Sequence, residues 1–258
     1  MQLNIIYEDK DILICFKPSG IATQTAKFSE QDMVSVIKNY LAKQGKEKLP
    51  YVGVIHRLDQ PVSGLLVFAK NSKAAASLSR QIQDRNANKD YIAFCSGTLE
   101  EKQGTLIHYI QKDPVTKLAK VMSEEHFLTN LKAKDIQDPK VSDEKKSEKQ
   151  SKDLKNSFKK AILTYEVEKE YEDSSIIKVH LETGRFHQIR AQFSFIGNAL
   201  LGDNKYGTAN DRRLSIEKGI NTVALCAYCL DLKHPTTGRK MKFVLDEEYL
   251  PQWYKVIG

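Results

Sequence analysis

Two polar clusters carry residue types that can do chemistry. The first is His56-Arg57-Leu58-Asp59-Gln60-Pro61, set between the apolar runs Tyr51-Val52-Gly53-Val54-Ile55 and Gly64-Leu65-Leu66-Val67-Phe68-Ala69. A carboxylate held at a strand end is either a cap for local backbone or an acid placed for work, and both readings of Asp59 stand. The second cluster is Arg185, His187, Gln188 and Arg190. On a helix that begins at Arg185, the two guanidiniums stand about 140° apart and cannot serve one target. Each then needs its own partner, or both are surface arginines on a solvated helix. A natural partner for Arg190 is Asp59, in a buried bidentate pair that would keep the carboxylate ionised. His56 and His187 read as bases or, more simply, as neutral hydrogen-bonding scaffold. Tyr91, at the start of a strand, reads by itself as a core or rim aromatic.

Other chemistries find less support. Cys226-Ala227-Tyr228-Cys229 has the C-x₂-C spacing, but no second cysteine pair or spaced histidine pair accompanies it, and strand alternation would send its thiols to opposite faces. No Walker A or G-x-G-x-x-G sequence is present. Ser63-Gly64 lacks the preceding glycine of a nucleophile elbow.

The elements that must position these groups follow from periodicity. Asn4–Tyr7 and Asp11–Phe16 read as a hairpin, stopped by Lys17-Pro18-Ser19-Gly20. Ser29-Glu30-Gln31-Asp32 resembles a capping box for a helix whose apolar face is Met33, Val34, Ile37 and Leu41, ended by Gly45. The two continuous apolar runs around Asp59 predict strands buried on both faces. Asn71-Ser72 caps a helix through Ala75, Leu78 and Ile82, and Lys89–Cys95 returns to strand. Ala161–Val167 and Ser175–Leu181 alternate as half-buried antiparallel strands do, Leu200–Gly207 reads as a loop, and Thr222–Leu232 reads as a last core strand. Strands outnumber helices without strict alternation, which predicts an α+β fold.

Composition bounds the function. With 258 residues, 41% hydrophobic and 28% charged, the chain can bury a sizeable core, and no apolar run reaches membrane-spanning length. Charged residues from Glu8 to Asp11 interrupt any secretory segment, and four cysteines without framework spacing read as reduced thiols of a cytoplasmic protein. The net charge of +7 makes a polyanion partner plausible. The segment 135–157 holds only Ile136, Val141 and Leu154 as aliphatic residues and no aromatic. It reads as a solvated lysine-rich insertion, or else as a basic arm that grips RNA backbone.

His56-Arg57-Leu58-Asp59 followed by Ser63–Lys70 resembles the signature of the RluA-type pseudouridine synthases. Four more segments fit in the family's order: Lys17–Gly20, Lys89–Ala93, Gly184–Arg190, and Gly202-Asp203 with Tyr206-Gly207. Leu225-Cys226-Ala227 and His234-Pro235 match more loosely. The similarity spans about residues 3–253 apart from the insertion. It implies a single catalytic domain over 1–258, with a mixed, largely antiparallel sheet flanked by helices, and no separate N-terminal RNA-binding domain before Lys17. It further implies isomerisation of uridine to pseudouridine in structured ribosomal RNA or tRNA by a cytoplasmic monomer, with no metal, cofactor or membrane. The target nucleotide must be flipped from its helix.

By the same resemblance, Asp59 is the catalytic carboxylate, acting either as a nucleophile at C1′ or as a base on the sugar. Arg190 is its partner. Tyr91 stacks on the base and relays the C5 proton, and Arg57 enters the RNA stack. His56, Arg185, His187 and Gln188 contact substrate, and Leu225 lines the pocket beneath the base. Departures from the family pattern fall at Gln60-Pro61-Val62, Phe186, Ala191-Gln192-Phe193 and Cys226, and bear on RNA preference and packing. Two other readings compete: an RNA-binding module that modifies nothing, and a metal-dependent phosphodiesterase built on Asp59, His56 and His187. The latter has too few clustered carboxylates for a two-metal site.

Overall fold

The computed structural model describes residues 2–25, 30–45, 49–135 and 157–257. The lysine-rich segment, Ser29 of the expected capping box and the two chain ends lie outside them. The N-terminal hairpin is present as β1 (Asn4–Glu8) and β2 (Ile12–Lys17). Its turn is tied by Asp9, whose carboxylate accepts the backbone N–H groups of Asp11 and Ile12. Helix α1 (Met33–Lys43) begins at Asp32, which exchanges capping hydrogen bonds with Ser35. The cap therefore sits three residues later than Ser29, where a short hydroxyl can reach back to the Asp32 amide. Its buried face is Met33, Val36, Ile37 and Leu41, with Val36 taking the place expected of Val34.

The strand expected over 51–55 shrinks to β3 (Gly53–Val54), and the polar cluster that follows is a loop rather than a strand end. Next come β4 (Ser63–Ala69), α2 (Ser72–Gln83, capped by Asn71) and β5 (Asn88–Ser96). Beyond Gly97, where the apolar pattern is weaker, β6 (Gln103–Lys112), β7 (Ala119–Ser123) and α3 (Glu124–Asp135) form a wing. After 156 the chain continues through β8 (Lys159–Glu170), β9 (Ser174–Leu181), α4 (Gln188–Phe195), α5 (Ala209–Glu217), β10 (Leu225–Lys233), β11 (Lys240–Val244) and α6 (Gln252–Ile257). Among the described residues no helix is long and apolar enough to cross a membrane.

These strands form one sheet in the order β1-β2-β4-β10-β5-β9-β8-β6-β7, with β3 on β4 and β11 on β10. Every pairing is antiparallel except β4 with β10. At that parallel seam Gly64 faces Ala227 at φ +130°, where a Cβ would lie 2.4 Å from the Ala227 carbonyl oxygen. Only glycine fits so close an approach. The unbroken apolar run of β4 reflects cover on both faces. Leu66 and Phe68 belong to the core that takes in the apolar face of α1, whereas Leu65 and Val67 belong to the core under α2. Each such buried side chain contributes ~1.5–3 kcal/mol. The structure is thus the α+β fold expected, a mixed and largely antiparallel sheet flanked by helices. The segment 200–203 departs from a surface loop: Leu200 bridges Cys95, and Leu201 is fully buried.

Candidate active site

A cleft of about 1220 Å³ opens on the α1/α4 face and is lined by His56, Arg57, Asp59, Tyr91, Arg190 and Leu225, among others. Asp59 reaches it from the β3–β4 loop, which three anchors hold in shape. Thr23 Oγ1 accepts the Leu58 N–H at 3.1 Å and donates to the Leu58 carbonyl at 2.9 Å. Lys17, fully buried at the end of β2, donates to the carbonyls of Pro18, Ile21 and Gln60. Burial lowers its pKa to about 8, opposed by the charge of Asp59. The Val62 N–H closes a turn onto the Asp59 carbonyl. Backbone on both sides of Asp59 is therefore fixed, and its carboxylate stays 29% exposed.

Arg190 rises from α4 with its side chain only 3% exposed and is shared by two carboxylates. Its Nη1 donates to Asp59 Oδ2 at 2.9 Å, while Nε and Nη2 donate to Asp203 Oδ2 and Oδ1 at 2.6 and 2.8 Å. The pair expected with Asp59 exists, but the bidentate fork belongs to Asp203, whose side chain is wholly buried. The fork matches the carboxylate that water cannot serve, and the single bond leaves Asp59 Oδ1 free of Arg190. Burial works against the Arg190 charge, yet the two carboxylates win and hold its pKa above the ordinary arginine value. The Tyr206 ring lies 5.2 Å from its guanidinium carbon. Asp203 is positioned by the Leu200–Gly207 turn, where Gly202 (φ +73°) would place a Cβ 2.1 Å from the Thr222 carbonyl oxygen.

His187 precedes α4 in the left-handed region (φ 51°), a conformation that costs a non-glycine residue ~1–3 kcal/mol. This turn directs Nε2 to 3.7 Å from Asp59 Oδ2 and Nδ1 to 2.8 Å from the Tyr206 hydroxyl. The Tyr206 oxygen also accepts the Ala119 N–H at 2.7 Å, which fixes the phenol against the imidazole. Burial lowers the His187 pKa to about 4, against the pull of Asp59. His56 is likewise neutral, lowered to about 3 by burial and then by the charge of Lys89. Its Nε2 faces the Val67 N–H at 3.4 Å, and its buried Nδ1 has no hydrogen-bond partner among the described residues.

Tyr91 lies on β5 with 5% of its surface exposed, and burial, then the charge of Asp59, raises its pKa. Leu225 starts β10 beside it. Arg57 is exposed at the cleft mouth. Because α4 begins only at Gln188, Arg185 is not on the helix with Arg190, and the angular argument for two arginines on one helix falls. Arg185 instead sits on the rim, its Nε donating to the Lys160 carbonyl. Gln188 lines the cleft and is also bonded within the protein: its Oε1 accepts from Thr183 Oγ1 and the Arg185 N–H, and its Nε2 donates to the Ile162 carbonyl. It locks the 183–187 loop onto β8. Phe186 stacks on His187 at 3.7 Å.

The thiols of Cys226 and Cys229 do not alternate. A bulge between Ala227 and Cys229 sets Cys226 opposite Ile92 and Cys229 opposite Asp90, so both stand on one face. Asp90, Cys229 and Asp231 form the one group among the described residues whose ligand atoms lie within 4.8 Å of one another. None of the three lines the cleft, and Asp59, His56 and His187 do not make such a group.

Residues 11–195 match the model of the RNA pseudouridylate synthase family. The chain belongs to this family. Its reaction is accordingly the isomerisation of uridine to pseudouridine in RNA. It is 31% identical over 243 residues to a ribosomal large subunit pseudouridine synthase C of Buchnera aphidicola, covering 93% of this chain and 66% of the relative. To a tRNA pseudouridine synthase C of Haemophilus ducreyi it is 28% identical over 254 residues, covering 96% and 93%. The solved structure of human RNA pseudouridylate synthase domain containing 4 superposes with a TM-score of 0.70 at 18% identity, over 98% of this chain and 90% of that one, and shares the fold. Asp203, Tyr206, Lys17 and Thr23 were not marked out as site residues by sequence. The first three belong to the motif segments quoted above, but only the folded chain gives them a task.

Proposed function

We propose that the enzyme works as one catalytic unit on a uridine flipped from structured ribosomal RNA or tRNA, with Asp59 as the reacting carboxylate. One observation carries the reading. Asp59 is the cleft carboxylate that has a fixed backbone, a single bond from Arg190 and one oxygen left to meet a nucleoside. The choice of RNA class follows relatives that act on ribosomal RNA and on tRNA.

In this reading Asp59 acts at the ribose, by attack on C1′ or by deprotonating the sugar, and the C1′–N1 bond breaks. Tyr91 and Leu225 hold the released uracil while it turns. C1′ then bonds to C5, the C5 proton leaves through the Tyr91 hydroxyl, and N1 gains a proton, so the reaction is balanced without redox change. Arg190 orients Asp59 through one N–H, and Nε2 of His187 faces the same carboxylate. Arg57 fills the space in the RNA stack that the flipped base leaves, as a planar cation can.

The test is to incubate the protein with transcribed tRNA and large-subunit ribosomal RNA and to map pseudouridine chemically. Formation of pseudouridine that resists EDTA and disappears in Asp59→Asn is expected. Full turnover in Asp59→Asn would remove Asp59 from the chemistry, and RNA binding without product would make the chain a binding module.

A further inference from the structure

The cleft extends past Tyr91 into an arm whose charges the reaction does not use. Lys89 lies on β5 two residues before Tyr91, on the same face of the strand, and lines this arm. Its ammonium lies beneath the 183–187 loop, 3.5 Å from where a Cβ on Gly184 would stand. Lys17 and Lys89 make an instructive pair. Lys17 is fully buried and Lys89 half-buried, but Lys17 donates to three carbonyls. Lys89 has no hydrogen bond or ion pair among the described residues, and burial alone lowers its pKa. A buried ammonium without a partner costs stability, and such a cost is offset when a ligand supplies the missing charge.

The surroundings have the same sign. Arg85 and Arg185 both line the arm. Burial, then the charge of Arg85, lowers the Arg185 pKa, so the two guanidiniums feel one another. The nearest acid to Arg85 is Glu182, at 4.0 Å and well exposed to water. Three cations thus line one cleft, whose lining carboxylates are Asp59, bonded to Arg190, and Glu182, the distant partner of Arg85. The uracil ring is neutral, so this convergence matches the other chemical group that the substrate carries, its phosphodiester.

We propose that Lys89, Arg85 and Arg185 form a phosphate subsite that grips the RNA backbone beside the flipped uridine. The subsite rests on the RNA-isomerase reading and adds to it a place where binding energy meets the cost of flipping, roughly a few kcal/mol. Lys89 is half-buried whereas Arg85 and Arg185 are exposed, so a phosphate from solvent meets the two guanidiniums first.

The test uses Lys89→Met, which keeps the length of the side chain and removes the charge, and a fluorescent uridine decamer as probe. The variant is expected to melt at a higher temperature than the wild type, because it no longer buries an unpaired charge. It should bind the decamer roughly tenfold more weakly, as loss of a charged hydrogen bond predicts. The slope of log Kd against log salt should fall by about 0.7, one phosphate's worth for a single strand. A decamer with neutral methylphosphonate linkages should bind both proteins alike.

Unchanged affinity and salt slope, or a lower melting temperature with an unchanged slope, would overturn the proposal and leave Lys89 a structural residue. Inorganic phosphate that displaces the decamer from the wild type better than chloride at equal ionic strength would assign the arm to free phosphate instead. If Lys89→Met does not fold, Arg85→Gln at the exposed rim reads the same slope. None of these measurements needs turnover, so pseudouridine mapping on the wild type tests the isomerase reading separately.

Discussion

At the seam where α4 meets the β3–β4 loop and the Leu200–Gly207 turn, Arg190 is 3% exposed and divides its donors between two carboxylates. On the wing of β6, β7 and α3, Glu124 meets Lys160 of the neighbouring β8 at 2.9 Å with both side chains about 40% in water. Both are ion pairs of ordinary length, yet they carry different weight. At the seam the carboxylate of Asp203 has been taken out of water and depends on the guanidinium. On the wing water competes for each partner, and the packing of Phe127 on Tyr109, with ring centroids 3.7 Å apart, holds the element instead. Gln192 joins the two regions, its amide donating to the Leu106 carbonyl and facing His108 Nδ1 at 3.0 Å. The difference teaches that a short distance measures an interaction only together with its solvation.

The sharpest way to break this comparison is at the seam. Asp59→Asn is expected to lower turnover roughly a thousandfold or more while the fold persists, since the partly exposed amide can remain beside Arg190. Single-turnover assays with a circular dichroism control check it. Arg190→Met should lower turnover and also destabilise the protein by about 3–5 kcal/mol, because Asp203 is left buried and uncompensated. Urea unfolding reads that loss. Tyr91→Phe keeps the packing of the ring and removes only the hydroxyl. It should retain RNA binding but lose ~10²–10⁴ in turnover, and full turnover would take Tyr91 out of the proton path.

The pH dependence sharpens the comparison from the other side. His187 at about 4 and His56 at about 3 lie below the ordinary histidine value, so the unfolded chain takes up protons that the fold refuses. Stability is therefore full above about pH 6.5 and falls as pH drops from there, towards 4 for His187 and towards 3 for His56. The melting temperature should follow that window, and His56→Phe should flatten it. On the wing, Phe127→Ala should cost about 3 kcal/mol by opening a cavity. Glu124→Ala, which removes an exposed pair, should change stability by no more than ~0.5 kcal/mol. A larger effect from Glu124 than from Phe127 would invert the account of the wing.

Legibility in the sequence followed the strength of burial. The unbroken run Gly64–Ala69 announced a strand covered on both faces because nothing else explains six apolar residues in a row. The 51–55 run misled, since β3 is an edge with partial exposure and pairs over only two residues. The start of α4 was misplaced because a left-handed residue, His187, interrupts the helical pattern at Arg185 and Phe186. The bulge in β10 defeated the alternation rule for Cys226 and Cys229.

Residue types and their order determined which side chains had chemistry to offer: the carboxylate of Asp59, the guanidinium of Arg190, the phenol of Tyr91, and an apolar pattern that demanded a covered sheet. What the tertiary structure alone decided was how their hydrogen bonds are shared. Arg190 gives its fork to Asp203 and one N–H to Asp59, and Lys17 has carbonyl partners where the Lys89 side chain has none among the described residues. The reason is that partnership inside a protein depends on which groups lose their water together. Residues 131 positions apart in the chain become neighbours only when the sheet closes.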